Sequence, residues 1–239
     1  MATAATARLR DRLAGQDRPA TVVHRGRHAV YLDLDGWCIG VVSLRATAVP
    51  CALRTALPDL GALADVAEAR VADGELWLDD TVVRIGRLQD LTVPRLPSPR
   101  PWLADVLLEA GRSAADELGD LLTRSPWSLV GRGSGLTPLA DDVLCGRLAL
   151  QHALGVTSPD LPDPRDSTTL LSATLLACAG HGEVIPEFRL LVHALASGDR
   201  PAVRRAADAV AAVGHTSGAG LVLGAGLALQ ESIEQDGAA

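Results

Sequence analysis

The sequence predicts an α+β protein in which a β-rich N-terminal half, built from hairpins and compatible with a barrel, precedes an all-helical C-terminal half. Two Asp-Gly pairs, Asp35-Gly36 and Asp73-Gly74, each separate short apolar or β-branched runs. That is the strongest short-range sign of a hairpin. From Leu103 onward apolar residues recur at helical spacing and no strand pattern returns. Between the two regions, Pro94, Pro97, Pro99 and Pro101 crowd one segment. Proline fixes φ and removes an N–H donor, so the segment reads as an extended boundary. It divides the chain into a β-rich domain, residues 1–97, and a helical domain, residues 98–239.

In chain order, MATAATARLRDRLAG has no apolar core of the signal-peptide kind and predicts a short amphipathic helix. TVVHRG, HAVYLDL and WCIGVVSL read as strands, the last two joined at Asp35-Gly36. Residues 62–68 read as a short helix, and ARVADGELWLDDTVVRIG as a second hairpin. After the prolines, Leu103, Val106, Leu107, Ala110, Ala114, Leu118, Leu121 and Leu122 share one helical face. Further helices are expected at 138–154, 167–180, 186–197, 201–212 and 217–234, with a surface loop at 156–166.

An apolar share of 48% is ample for a core, while aromatic residues make up only 3%. The net charge of −7 argues against broad nucleic-acid binding, which needs basic surface. All 22 basic residues are arginine. A Schiff-base lysine and the lysine of a P-loop are thereby excluded. The cysteines, Cys38, Cys51, Cys145 and Cys178, show no metal-ligand spacing and read as reduced thiols of a cytoplasmic protein. Residues 210–229 carry little charge over about a membrane span, but the cluster Gly214–Gly220 breaks them into two elements. They read as core, so no membrane partner is expected.

The richest stretch is GRGSGLTPLADDVLCG, Gly131–Gly146. Thr137 reads as an N-cap and Pro138 as the first helical residue. The glycines before it leave backbone N–H groups unshielded beside the positive end of a helix dipole, which suits an anion. Arg132, Gly133, Ser134, Gly135 and Thr137 are the candidate ligands. Asp141 and Asp142 follow within the first turn. Adjacent helical residues point about 100° apart, so only one of them can face a cleft squarely. Each is a candidate for proton transfer; the plainer reading is a pair of acids favouring the helix dipole.

An internal echo strengthens the case. Thr137–Leu150 aligns without gaps on Thr216–Leu229, with identity at half the positions. Two helix starts converging on one cleft would bind an anion better than either alone; the rival account is an Ala/Leu-rich composition repeating itself. The second start adds Thr216 and Ser217 as ligands and His215 as a third candidate acid or base. Thr168 and Ser172, one helical turn apart, are candidates to line the same cleft or to bond backbone carbonyls.

These residues also carry a family resemblance. GSGLTPLADDVLCG resembles the G-x-G-L-T-P-S-G-D-D-x-L-x-G signature of the oxamate carbamoyltransferase subunit AllH-like family. LSATLLACAGHGEV is similar to that family's second helical segment. GHTSGAGLVLGAGLAL resembles its Thr-Ser-Gly-Ala-Asp helix start, and VVHRGRHAVYLDL its opening Val-His-Ser strand. The chain departs from the pattern at Arg25, at Leu139-Ala140 in place of Ser-Gly, and at Gly220 in place of Asp. The resemblance implies a carbamoyltransferase-type subunit of anaerobic allantoin catabolism, where oxalurate and phosphate yield oxamate and carbamoyl phosphate. It implies FdrA-like and AllG-like partner subunits and a small anionic ligand: carbamoyl phosphate, phosphate or an oxamate-like acid. No cofactor is fixed; Mg²⁺ is the one candidate, since it would relieve repulsion between the acids and a phosphate. The alternative reading is a non-catalytic or ligand-sensing subunit of a larger complex.

Overall fold

In the computed structural model all residues are described except 64, 98, 157–162 and 238–239. The chain forms two compact units, Met1–Leu91 and Thr92–Ala239.

The first unit is a closed barrel. Its strands are β1 (Ala2–Ala5), β2 (Arg18–Arg25), β3 (Ala29–Leu34), β4 (Trp37–Val42), β5 (Ala52–Thr55), β6 (Ala69–Ala72), β7 (Glu75–Leu78) and β8 (Thr81–Leu88). They follow one another around the barrel as β1-β5-β4-β3-β2-β6-β7-β8, and β8 pairs with β1. Both expected hairpins form. Asp35 and Gly36 have φ of 55° and 75°, and Asp73 and Gly74 have 53° and 75°. Two successive positive φ values match the right-handed twist of the flanking strands, and Asp-Gly is the pair that accepts them most readily.

Closure depends on two strands that carry no sequence signal of their own. β1 is an alanine-rich tetrapeptide that runs parallel to β8 and antiparallel to β5. β5 runs parallel to β4. Strand formation here is set by the edges these segments seal, not by propensity. The amphipathic helix expected at the N-terminus is α1 (Ala7–Leu13), capped by Thr6, whose hydroxyl accepts from the Leu9 N–H at 3.2 Å. It places Leu9 and Leu13 in the barrel core with Leu32, Ile39, Leu53 and Leu76. The helix expected at residues 62–68 is corrected to a single 3-10 turn, Gly61–Leu63; Ala64 lies outside the described residues. The chain is drawn off a helical path there because the Asp79 carboxylate accepts from the Ala67 and Glu68 N–H groups, while Leu63 and Val66 join the core.

The second unit is helical: α2 (Pro101–Ala110), α3 (Arg112–Leu118), α4 (Leu139–Leu154), α5 (Leu170–Gly180), α6 (Pro186–Ser197), α7 (Arg200–Ala211) and α8 (Ser217–Gly237). The continuous face expected over 103–122 is split at Gly111, a poor helix former, into α2 and α3 followed by a 3-10 turn. Most of the loop expected at 156–166 lies outside the described residues. The proline-rich segment is docked on this unit: the Val93 N–H donates to the Gly182 carbonyl at 2.9 Å, and the Leu96 N–H to the Ala153 carbonyl at 2.9 Å. Among the described residues, no helix is long and apolar enough to cross a membrane. The four cysteines are buried, and none of them forms a disulfide with another described residue.

The echoed segments α4 and α8 pack side by side and run in the same direction. Arg147 of α4 pairs with Glu231 of α8 at 2.6 Å. Their backbones touch: a methyl on Gly146 would lie 2.0 Å from the Leu221 carbonyl oxygen, and one on Gly224 would lie 1.8 Å from the Val143 carbonyl oxygen. Gly146→Ala and Gly224→Ala are therefore expected to destabilise the protein by roughly 1–3 kcal/mol or more each. Thermal denaturation checks this, and an unchanged melting temperature in either variant would contradict the packing.

Candidate functional site

Parallel packing of α4 and α8 brings two helix N-termini together. The Thr137 and Ser217 hydroxyl oxygens are 3.1 Å apart. Two positive dipole ends side by side repel each other unless negative charge sits between or beneath them. The sequence supplies that charge as Asp141 and Asp142, both buried, at 0% and 5% exposure.

The two acids are used differently. Asp141 accepts from the Gly131 N–H at 2.7 Å, from the Ser172 hydroxyl at 2.6 Å and from the Thr168 hydroxyl. Its carboxylate clamps the glycine loop and the start of α5 onto α4, and both of its oxygens are engaged. Asp142 sits nearest the joined helix starts, and its Oδ2 is buried without a hydrogen-bond partner. Burial pushes its carboxyl up to about 7, and neighbouring Asp141 adds to this; the Ser217 and Thr137 hydroxyls, bonded to it, pull the other way. A carboxyl balanced near neutrality, with one free oxygen, can give or take a proton or accept a hydrogen bond.

The loop itself is partly spent. Thr137 is not the N-cap: α4 begins at Leu139 with Pro138 in the cap position, and no side chain caps it. Pro138 keeps an extended ψ of 138°, which delays the helix by one residue. The Thr137 hydroxyl is thereby released to meet Ser217. The Arg132 N–H donates to the Leu129 carbonyl at 2.9 Å, and the Ala140 N–H to the Arg132 carbonyl at 3.1 Å. Gly133, Ser134 and Gly135 are exposed, and among the described residues their N–H groups make no backbone hydrogen bond. These are the donors left for a ligand.

The remaining candidates scatter. Arg132 and His215 are exposed, while Thr216 is half-buried. Thr168 and Ser172 bond neither backbone carbonyls nor an open cleft but the Asp141 carboxylate. Thr169 was not singled out by the sequence reading. Its hydroxyl accepts from the Ser172 N–H at 3.1 Å, capping α5, and donates to the Leu136 carbonyl at 2.5 Å, tying the loop down. The signal was present as a Ser-Thr-Thr run before an apolar helix.

The family model for oxamate carbamoyltransferase subunit AllH matches residues 129–229. This stretch of the chain is AllH-like. The AllH match begins just before the glycine loop, contains Asp141, Asp142, Thr168, Ser172 and Ser217, and ends within α8. It lies wholly in the helical unit, so the likeness at Val22–Leu34 falls outside it. No solved structure matches the chain. Two of the departures from the AllH signature touch each other. A Cβ at Gly220 would meet the Asp142 Cβ at 2.9 Å and the Leu139 Cδ1 at 3.0 Å. The bulk of Leu139 thus occupies space that a longer residue at 220 would need.

Proposed function

We propose that the chain is a subunit of a carbamoyltransferase-type enzyme, and that its AllH-like unit binds a small carboxylated or phosphorylated ligand at the joined starts of α4 and α8. The buried, unpartnered Oδ2 of Asp142 carries this reading. A protein gains nothing by burying a carboxyl oxygen unsatisfied unless something else comes to meet it.

In the reaction implied by the family, a phosphate oxygen attacks the carbamoyl carbon of oxalurate, the C–N bond breaks, and the oxamate nitrogen takes up a proton. Asp142 supplies that proton and recovers it in the reverse direction. Gly133, Ser134 and Gly135 orient the anionic end through their N–H groups, and Asp141 holds the loop in place for them. Among the described residues, no group of three or more His, Cys, Asp or Glu side chains is placed to hold a metal ion. Were Mg²⁺ to accompany phosphate, Asp142 would be the residue to hold it, and the ion would relieve repulsion between the acid and the phosphate. FdrA-like and AllG-like subunits complete the assembly.

The test is carbamoyl phosphate formation from oxalurate and phosphate by the chain reconstituted with those partners. Asp142→Asn is expected to lower turnover by about 100-fold or more, the usual worth of a positioned acid. Full turnover in that variant would overturn the catalytic role. Loss of ligand binding with turnover intact would favour a sensing subunit instead.

A further inference from the structure

In the barrel, β2 outruns the strand beside it. It has eight residues to the four of β6, and the two pair only from Arg18 to Ala20, against Val71 to Ala69. Ala72 and Glu75 close the Asp73-Gly74 hairpin, so Ala69 and Val71 turn their N–H and C=O groups toward β2, where Ala20 and Arg18 meet them. By the same alternation Val22 points that way too, and its partner in register would be Ala67. Ala67 instead gives its N–H to the Asp79 carboxylate at 3.1 Å. The Val22 N–H and C=O therefore face an opening between β2 and the chain leading into β6. Arg25 closes the far end of the opening, where its Nε and Nη2 donate to the Val66 carbonyl at 3.2 and 2.7 Å.

The opening forms a groove of about 550 Å³, a volume in the range of small-molecule sites. Pro19, Val22, Ala67 and Ala69 give it apolar walls, while Thr21, Arg25, Glu68 and Arg70 supply its polar groups. Arg70 is held in place by stacking, its guanidinium 4.6 Å from the centre of the Trp77 ring. Among the described residues, neither Arg25 nor Arg70 has an acidic partner. Two arginines less one glutamate leave the lining with a net charge of +1. A singly charged anion balances that charge, whereas a phosphate dianion would exceed it and meet Glu68.

We propose that this groove is a second ligand site, which takes a small monocarboxylate with an apolar body. The carboxylate meets Arg25 and Arg70, with the Thr21 hydroxyl and the Val22 N–H as further donors, and the body covers Pro19, Ala67 and Ala69. A polar acid without such a body, oxamate included, gains little from these walls. The groove lies in the barrel, outside residues 129–229, and is independent of the site at the starts of α4 and α8.

Benzoate and inorganic phosphate are the probes, each titrated into the full chain at about pH 8 and followed by amide NMR. Benzoate is expected to shift the Val22, Glu68 and Ala69 signals with one saturating affinity, and phosphate to bind there about tenfold or more weakly. Arg70→Gln removes the charge and is expected to lower benzoate affinity about tenfold or more. Glu68→Gln removes the acid from the lining, so the preference for benzoate over phosphate is expected to narrow. Both residues are exposed, and neither substitution should disturb the fold. No saturable shift at the groove with benzoate would overturn the site, as would an unchanged benzoate affinity in Arg70→Gln. Phosphate binding there as tightly as benzoate would overturn the monocarboxylate class, and a preference unchanged in Glu68→Gln would overturn the charge argument behind it.

Discussion

Asp142→Asn is expected to stabilise the protein, and the gain grows with pH. The folded state holds the Asp142 carboxyl at about 7 against an ordinary 3.8. The folded form therefore binds this proton more tightly than the unfolded chain, the reverse of a salt-bridged acid. Its contribution to stability is greatest below pH 3.8, declines between pH 3.8 and about 7, and stays lost above that. Burying the ionised group costs on the order of 4 kcal/mol. An asparagine at this position avoids that cost. The variant should match the wild type in melting temperature near pH 3.5 and exceed it by on the order of 10 °C at pH 8. Thermal scans across that range check it. A pH-independent difference would mean that Asp142 is not held protonated by the fold. Gained stability alongside lost turnover is what a site kept strained for function should show.

The neighbouring acid should behave in the opposite way. Asp141→Ala leaves the Gly131 N–H and the Thr168 and Ser172 hydroxyls without their acceptor in a fully buried place. A loss of roughly 3 kcal/mol or more is expected, because each orphaned donor bears its own desolvation cost. The Gly131 end of the loop would lose its tie to α4, while the Thr169 bond to the Leu136 carbonyl would remain. Denaturant unfolding measures the loss, and a stability unchanged in the variant would refute the clamp. Two adjacent aspartates with opposite effects on stability would separate the acid that builds the site from the acid that serves it.

Much of this was legible in the sequence where a local rule governs. Asp35-Gly36 and Asp73-Gly74 turned where their backbone preference demands. The limits of α6 and the start of α8 followed from the helical periodicity, while α8 runs three residues beyond the expected end at 234. Barrel closure was not legible, since β1 and β5 are short, have little β-branched content, and become strands only by sealing edges made elsewhere. The glycine loop and the pair of aspartates were visible as a motif. Their division of labour was not, because it depends on Thr168 and Ser172 arriving from a helix some thirty positions later. The echo between Thr137 and Thr216 looked like composition as readily as design. It became meaningful through Gly146 and Gly224, whose missing side chains let the two helices lie backbone to backbone with their starts together.

The most direct test of the central claim, that the joined starts of α4 and α8 form the ligand site, is an amide NMR titration of the full chain with oxamate. The account predicts that the signals of Gly133, Ser134, Gly135, Thr137 and Ser217 move together with a single affinity, while those of the barrel strands stay in place. Shifts confined to the barrel strands, or none at the loop and the start of α8 at saturating oxamate, would contradict it.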